Sequence, residues 1–172
     1  MEKWDILNAE GIPTGKIALR GRGNLKPGEY HLVVHIWIMS SKGDFLIQRR
    51  SDNKKLMAGE WAATGGAAIS GEDSYTAANR ELFEELGIPS NKQTIKKLTR
   101  IKRRNSLLDI WFIKTDIKLD QLKLQKDEVA EARWINRNDF KKMIQNGQYH
   151  NYGSEYFDTV FKKIDELTEV TV

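Results

Sequence analysis

The chain has 172 residues, of which 40% are hydrophobic and 30% are charged, and we expect residues 1–172 to form a single domain with a substantial core. It contains no cysteine, which excludes disulfides, thiolate metal sites and a cysteine nucleophile and favours a reducing, cytoplasmic environment. The formal net charge of +4 suits anionic substrates such as phosphates, but it is also an ordinary solubility charge.

Strand-forming runs separated by turn residues begin after residue 30. Residues 31–40 and 45–50 are rich in β-branched and aromatic side chains, and Gly43 and Asp44 between them suit a tight turn, so we predict a hairpin. The sequence WAATGG then predicts a short strand that runs into a glycine bend. Further strands are predicted at 95–104, 107–117 and around ARWIN (132–136).

Helices are predicted at about 73–86, 137–146 and 154–167. Ser70 or Asp73 can cap the first of them, and Gly87 can supply the left-handed residue that ends it. Strands and helices in this arrangement favour an α/β fold with helices on both sides of a mixed sheet. The longest apolar run, LVVHIWIM at 32–39, is far too short to span a bilayer, so we expect no membrane association.

The helix predicted at 73–86 concentrates negative charge near its C-terminal end. Glu81, Glu84 and Glu85 stand at i, i+3 and i+4, within one turn of each other. Each like-charge neighbour on an exposed helix costs about 0.2–0.5 kcal/mol, which Arg80 can offset only in part. Because Mg²⁺ and Mn²⁺ prefer clustered carboxylate oxygens, this cluster predicts a divalent metal site.

The alternative interpretation is that the glutamates form a solvated helix face, as charged runs usually do. Gly65 and Gly66, shortly before the helix, favour the metal site instead. Without a Cβ, they allow the backbone to turn sharply and to approach a ligand closely, and a carbonyl can be offered to the same cation.

From Gly66 onward the sequence reads G, five residues, E, seven residues, REL, one residue, EE, one residue, G, I. This pattern resembles the Nudix box at every specified position. The matching residues are Gly66, Glu72, Arg80, Glu81, Leu82, Glu84, Glu85, Gly87 and Ile88. The stretches at 4–15 and 30–55 resemble more narrowly the branch of this hydrolase superfamily near isopentenyl-diphosphate isomerase.

The resemblance implies a Nudix-type α/β/α sandwich that hydrolyses a nucleoside diphosphate linked to another moiety, with Mg²⁺ or Mn²⁺ as cofactor. It implies that Glu81, Glu84 and Glu85 hold the metal, with help from the Gly66 carbonyl. One of the three could also take the proton from the attacking water. Displacement at phosphorus develops negative charge that divalent ions neutralise, which agrees with this assignment.

The resemblance also implies supporting roles for residues near the three glutamates. Arg80 orients the carboxylates by ion pairing, and Glu72 either pairs with Arg80 or supports the metal. A further acid from outside the helix is common in the family. Glu128 is our candidate, with Glu131 next, although both could equally be surface charges beside a strand.

Positive charges offer places for substrate phosphates. Arg49 and Arg50 end a strand, and because strand neighbours point to opposite faces, we expect only Arg50 to contact a diphosphate. A solvated role for Arg50 is the alternative. The KRR at 102–104 could bind a nucleotide or an RNA backbone, but without interleaved aromatic residues an exposed strand face is the simpler interpretation.

Two other functions are compatible with part of the sequence. Isopentenyl-diphosphate isomerases use a cysteine near the bend before the box and a histidine just after it. Gly65 and Ala67 stand at about those places here, so we rank isomerase below hydrolase. A nucleotide sensor that does not cleave its ligand is the third function, and the intact box argues against it. Many relatives dimerise, so a homodimer is compatible with the family.

Overall fold

The computed structural model describes residues 2–21 and 25–169, which form a seven-stranded sheet, a separate two-stranded sheet and flanking helices. The strands are β1 (Lys3–Leu7), β2 (Pro13–Leu19), β3 (His31–Met39), β4 (Phe45–Arg50), β5 (Trp61–Ala62), β6 (Thr64–Ala67), β7 (Ile95–Lys102), β8 (Ser106–Lys114) and β9 (Val129–Ile135). The helices are α1 (Ser74–Leu86), α2 (Arg137–Gln145) and α3 (Ser154–Glu169), and a short 3₁₀ turn lies at Leu119–Gln121.

The helix ends follow the predicted capping signals. Asp73 is the N-cap of α1, because its side chain accepts a hydrogen bond from the Thr76 amide at 2.7 Å. Gly87 ends the helix in the left-handed conformation, with a φ of 71°. At the start of α2, the Asn136 side chain accepts from the Asp139 amide at 2.9 Å. Of the two predicted caps of α1, Asp73 is therefore the one that the structure uses.

β3 lies at the centre of the large sheet. It pairs in parallel with β8 and antiparallel with β6, while β4 pairs with β5 and β9. The predicted hairpin of β3 and β4 is confirmed at its turn, where the Ser40 amide donates to the Asp44 carbonyl at 2.8 Å. Beyond the turn the prediction is wrong, because the two strands pair only at Met39 and Phe45. Residues 61–66, predicted as a short strand that runs into a glycine bend, instead contribute to two short strands, β5 and β6, which pair with β4 and β3 respectively.

Two apolar cores lie on opposite faces of this sheet. The first contains the buried face of α1, made of Ala77, Ala78, Leu82 and Leu86. The second contains residues of α2 and α3, including Phe140, Phe157, Val160 and Ile164. Because side chains alternate along a strand, β3 contributes to both cores, with Ile36 in the first and Trp37 in the second. The predicted α/β/α sandwich is confirmed.

β1 and β2 form a hairpin that the sequence analysis did not predict. β2 is mostly exposed and shows no alternation of buried and exposed residues, so it lacks the usual strand signal. The hairpin supports the loop before α1, since Asp5 accepts hydrogen bonds from the Ser70 hydroxyl at 2.6 Å and from the Gly71 amide at 2.9 Å. No helix within residues 2–21 and 25–169 has the length and apolar character needed to cross a membrane.

Candidate active site

The three glutamates at the end of α1 have different environments. Glu85 is 3% exposed and lies among the apolar residues that α1 buries against the sheet. The side chain of Glu81 is 14% exposed, and that of Glu84 is 48% exposed. The three glutamates, which the spacing places within one turn of each other, therefore do not share one face, because Glu85 lies on the buried side of the helix and Glu84 on the exposed side.

Two neutral donors hold the Glu85 carboxylate. Its Oε2 accepts hydrogen bonds from Gln48 Nε2 at 2.8 Å and from the Gly65 amide at 3.0 Å. Gln48 belongs to β4, and Gly65 belongs to β6, which pairs with β3. Residues from two different strands therefore fix the orientation of this side chain. Within the described residues no donor reaches Oε1 of Glu85, which leaves that oxygen available to a ligand.

Burial and, to a lesser extent, the nearby Glu81 carboxylate raise the pKa of Glu85 to about 8, although the two hydrogen bonds and Arg50 act to lower it. Burial also raises the pKa of Glu81, although Arg80 opposes this shift. Two neighbouring carboxylates in a poorly solvated position destabilise each other when both are ionised. A cation placed between them would remove that destabilisation.

Arg80 is the cation that the structure places against this cluster. Its guanidinium donates to both oxygens of Glu72, at 2.7 and 3.0 Å, and to Glu81 at 2.8 Å, Glu84 at 3.1 Å and the Ala67 carbonyl at 3.2 Å. These contacts raise the already high pKa of Arg80, chiefly through Glu72. Arg80 thus ties the loop before α1 to two of the three glutamates.

The residues present fit a hard divalent cation, although they need some rearrangement to bind it. No three histidine or carboxylate side chains of residues 2–21 and 25–169 form a preassembled metal site, since Arg80 engages Glu81 and Glu84 while Glu85 bonds to the sheet. All the nearby negatively charged groups offer carboxylate oxygens, the type that Mg²⁺ and Mn²⁺ prefer. Gly66 lies so close to Glu81 that a Cβ at residue 66 would stand 2.5 Å from Glu81 Oε1. The Gly66 backbone and the Glu81 carboxylate therefore lie directly against each other.

The other predicted site residues separate into two groups. Glu128 is half-buried, pairs with Lys54 at 2.5 Å and acts on the pKa of Glu81, so it lies near the cluster. Arg50 is half-buried and acts on the pKa of Glu85. Arg49 and Glu131 lie apart from the cluster, in a 3.7 Å ion pair with each other.

The same domain and fold occur in known proteins. A family model described as the NUDIX domain matches residues 29–153, which include α1 and β3 to β9. An uncharacterized Nudix hydrolase of Listeria monocytogenes is 39% identical over 153 residues, which are 88% of this chain and 90% of that protein. The chain belongs to the Nudix hydrolase family.

Other matches include a further relative by sequence and two proteins that share the fold. An isopentenyl-diphosphate Delta-isomerase of Pectobacterium atrosepticum is 30% identical over 75% of this chain and 73% of that protein. A protein of Deinococcus radiodurans has a TM-score of 0.72 at 22% identity, over 86% of this chain and 91% of that one. The NUDIX domain of Shewanella oneidensis NrtR, complexed with ADP ribose, has a TM-score of 0.61 at 14% identity, over 78% and 88% of the two chains.

In this Nudix hydrolase the box begins on β6, continues through the loop that the N-terminal hairpin supports, and includes all of α1. Enzymes of the family generally use divalent metal cations. Sequence reasoning did not find Gln48, which is 1% exposed and the partner of Glu85. The signal was present, since a glutamine in the apolar run FLIQ is a buried polar group that needs a partner.

Proposed function

We propose that this Nudix hydrolase is a metal-dependent pyrophosphohydrolase. It cleaves a nucleoside diphosphate linked to another moiety into a nucleoside monophosphate and the phosphorylated moiety, by attack of water at phosphorus, with Mg²⁺ or Mn²⁺ as cofactor. The buried Glu85 beside Glu81 is the observation that carries the proposal. A pair of carboxylates that repel each other in a buried position is stabilised by a bound cation.

In this proposal Glu81, Glu84 and Glu85 hold the cation, with the Gly66 carbonyl as a further oxygen donor. The cation, when bound, neutralises charge on the diphosphate oxygens and lowers the pKa of the attacking water. One of the three glutamates accepts the proton from that water. Gln48 and the Gly65 amide keep the orientation of Glu85 fixed by bonding to its Oε2.

Three further residues complete the proposed site. Arg80, which Glu72 anchors, keeps Glu81 and Glu84 together when no cation is bound. Glu128 supplies an additional carboxylate from just before β9, and its ion pair with Lys54 holds it beside the cluster. Arg50 lies on the same side and binds the diphosphate by charge-assisted hydrogen bonds. The ADP ribose in the Shewanella oneidensis complex supports a substrate that is a small nucleotide derivative.

The isomerase alternative is weaker on structural grounds as well as on sequence. Gly65 stands at about the place of the isomerase cysteine in the family pattern, and a Cβ at residue 65 would lie 2.0 Å from the Val34 carbonyl oxygen. No side chain can be accommodated at that distance without a shift of the backbone.

A substrate panel tests the proposed function. The panel contains nucleoside triphosphates, nucleotide sugars, dinucleoside polyphosphates and isopentenyl diphosphate, each with Mg²⁺, with Mn²⁺ and with chelator. We expect metal-dependent release of a nucleoside monophosphate from one class. Isomerisation of isopentenyl diphosphate would instead identify an isomerase, and binding without turnover would identify a nucleotide sensor.

A further inference from the structure

A second group of polar side chains surrounds Tyr152, on the face of the sheet opposite α1. The Tyr152 ring lies 4.8 Å from the ring of His35, 4.6 Å from that of His150 and 4.8 Å from that of Tyr156, between centroids. None of these residues belongs to the Nudix box. Three aromatic neighbours hold Tyr152 in one place.

Burial keeps His35 uncharged in this group. Trp37 Nε1 donates to the Tyr156 hydroxyl at 3.0 Å, so the hydroxyl proton of Tyr156 is free to be donated to His35 Nδ1 at 2.9 Å. Burial lowers the pKa of His35 to about 3, with Arg103 and His150 adding to the effect. His35 is therefore neutral and does not neutralise an anion by charge.

A short chain of hydrogen bonds joins Tyr152 to the proposed catalytic cluster. The Ala63 amide donates to the Tyr152 hydroxyl at 3.2 Å, and Gln48 Nε2 donates to the Ala63 carbonyl at 3.4 Å as well as to Glu85 at 2.8 Å. Burial raises the pKa of Tyr152 to about 12, and Arg50, Arg103 and Glu85 all act on it. Tyr152 is thus linked to Glu85 through the Ala63 backbone and Gln48, and it lies near both Arg50 and Arg103.

Arg103 lies over the rings of this group and has no carboxylate partner among the described residues. Its guanidinium carbon lies 5.8 Å from the Tyr152 ring centroid and 6.0 Å from that of Tyr156. Arg103 is half-buried, yet within residues 2–21 and 25–169 no acidic side chain lies within ion-pairing distance of it. Arg49, Arg80, Arg100 and Arg137 all have such a partner.

Arg50 has the same property. Its side chain donates only to the Leu56 carbonyl, at 3.3 Å, and forms no ion pair within the described residues. Arg50 and Arg103 are thus two half-buried arginines without a carboxylate partner in the described part of the chain, and both act on the same Tyr152 side chain, so an anion bound there would find unpaired positive charge. The diphosphate accounts for only one of them in the proposed function.

We propose that Arg103 is a specificity-determining residue that binds a further anionic group of the substrate, a phosphate beyond the diphosphate that is cleaved. This inference rests on the proposed function for the identity of the substrate as a nucleoside diphosphate derivative. The enzyme then prefers a moiety that carries its own phosphate to a neutral sugar, because only the phosphate satisfies the charge of Arg103.

Matched substrate pairs test this inference. ATP and ADP-ribose share the adenosine diphosphate and differ in whether the attached group is a phosphate or a neutral sugar, and UTP and UDP-glucose form a second pair. Equilibrium binding is measured by calorimetry in chelator, where metal-dependent turnover is absent. The proteins are the wild type, Arg103→Gln, Arg103→Lys and the control Arg104→Gln, which alters the exposed neighbouring arginine.

We expect wild-type protein to bind the phosphate-bearing member of a pair more tightly. Arg103→Gln should weaken binding of that member by about tenfold to hundredfold, the usual effect of losing a charge-assisted hydrogen bond, and should leave the neutral-sugar member within about twofold. Arg103→Lys should retain part of the preference, and Arg104→Gln all of it. Thermal unfolding of each variant shows whether it remains folded.

Three results would overturn the assignment: a wild type without preference, an Arg103→Gln variant that binds both members as wild type does, or one that binds both equally weakly, which would make Arg103 structural. Because binding is measured without turnover, the difference in binding between the two members of a pair can be interpreted even if the proposed hydrolase activity is not found. Selective binding of the phosphate-bearing member, with no turnover in Mg²⁺ or Mn²⁺, would contradict the proposed hydrolase activity and would still support Arg103 as an anion-binding residue.

Discussion

Replacement of Glu85 by glutamine is expected to lower kcat/KM for the best diphosphate substrate by at least about a hundredfold, because loss of an outer partner of a metal ligand already costs about 10–100-fold and Glu85 is proposed as a ligand itself. Glutamine keeps the size of the side chain and an oxygen that can accept from Gln48 and Gly65. It removes only the charge that the cation needs.

The matched control is Glu131→Gln, at an exposed acid that pairs with Arg49 at 3.7 Å, away from the cluster. We expect Glu131→Gln to retain wild-type kcat/KM in Mg²⁺ and in Mn²⁺. Equal turnover by Glu85→Gln and the wild type would show that the buried carboxylate has no part in the chemistry.

The same variant should change how stability depends on pH. The pKa of Glu85 is about 8 in the folded protein, against 4.5 for an ordinary glutamate. Between these values the folded state binds more protons than the unfolded state, so the free energy of unfolding of the metal-free protein falls as the pH rises from about 4.5 to about 8. Glu85→Gln should reduce this fall and should be more stable than the wild type at pH 8 in chelator. A wild type that unfolds no more easily at pH 8 than at pH 5 would contradict the burial of an ionisable Glu85.

Gly65→Ala is expected to destabilise the protein by about 3 kcal/mol or more, since it combines backbone strain with overpacking. Gly65 has a φ of 141°, a conformation that residues with a side chain rarely adopt. An added Cβ would lie 2.0 Å from the Val34 carbonyl oxygen and 3.0 Å from the His35 Cα, both atoms of the β3 backbone. Because backbone atoms of a central strand cannot move aside easily, the pairing of β6 with β3 should be disrupted.

Gly147→Ala provides the comparison for this change. Gly147 also has a positive φ, of 70°, but a Cβ at residue 147 would meet no atom of the described residues within 4 Å. The substitution should cost only the backbone strain, about 1–2 kcal/mol. Urea unfolding of the two variants measures the difference, and equal losses of stability would show that the contact with β3 is not the cause.

The helices and the box were predictable because their signals are local. Asp73, Gly87 and the three glutamates of α1 stand at fixed spacings, and caps and box depend on spacing alone. The burial of Glu85 could not be predicted from this spacing, because it depends on Gln48 and on residues 61–67 reaching the same place. Those residues do so only because β3 and β4 diverge after one pair, a departure from the simple hairpin that the turn residues suggested.

The group around Tyr152 could not be predicted for a similar reason. Its members come from β3, from the turn between β7 and β8, and from the segment before α3 together with the first turn of α3, and these three parts are far apart in sequence. Arg103 stood out only as part of a basic run, and a basic run is typical of an exposed strand face. Its position over Tyr152 and Tyr156, 5.8 and 6.0 Å from their rings, distinguishes it from its exposed neighbour Arg104.

The most direct test of the proposed metal site is whether the carboxylates of α1 bind a divalent cation. Free Mn²⁺ is followed by its electron paramagnetic resonance signal as wild-type protein, Glu81→Gln/Glu85→Gln and Glu131→Gln are added in turn. We expect saturable Mn²⁺ binding by the wild type and by Glu131→Gln, and binding at least about a hundredfold weaker by the double variant. Unchanged Mn²⁺ affinity in the double variant would contradict the proposed metal site, whatever the activity of the wild type.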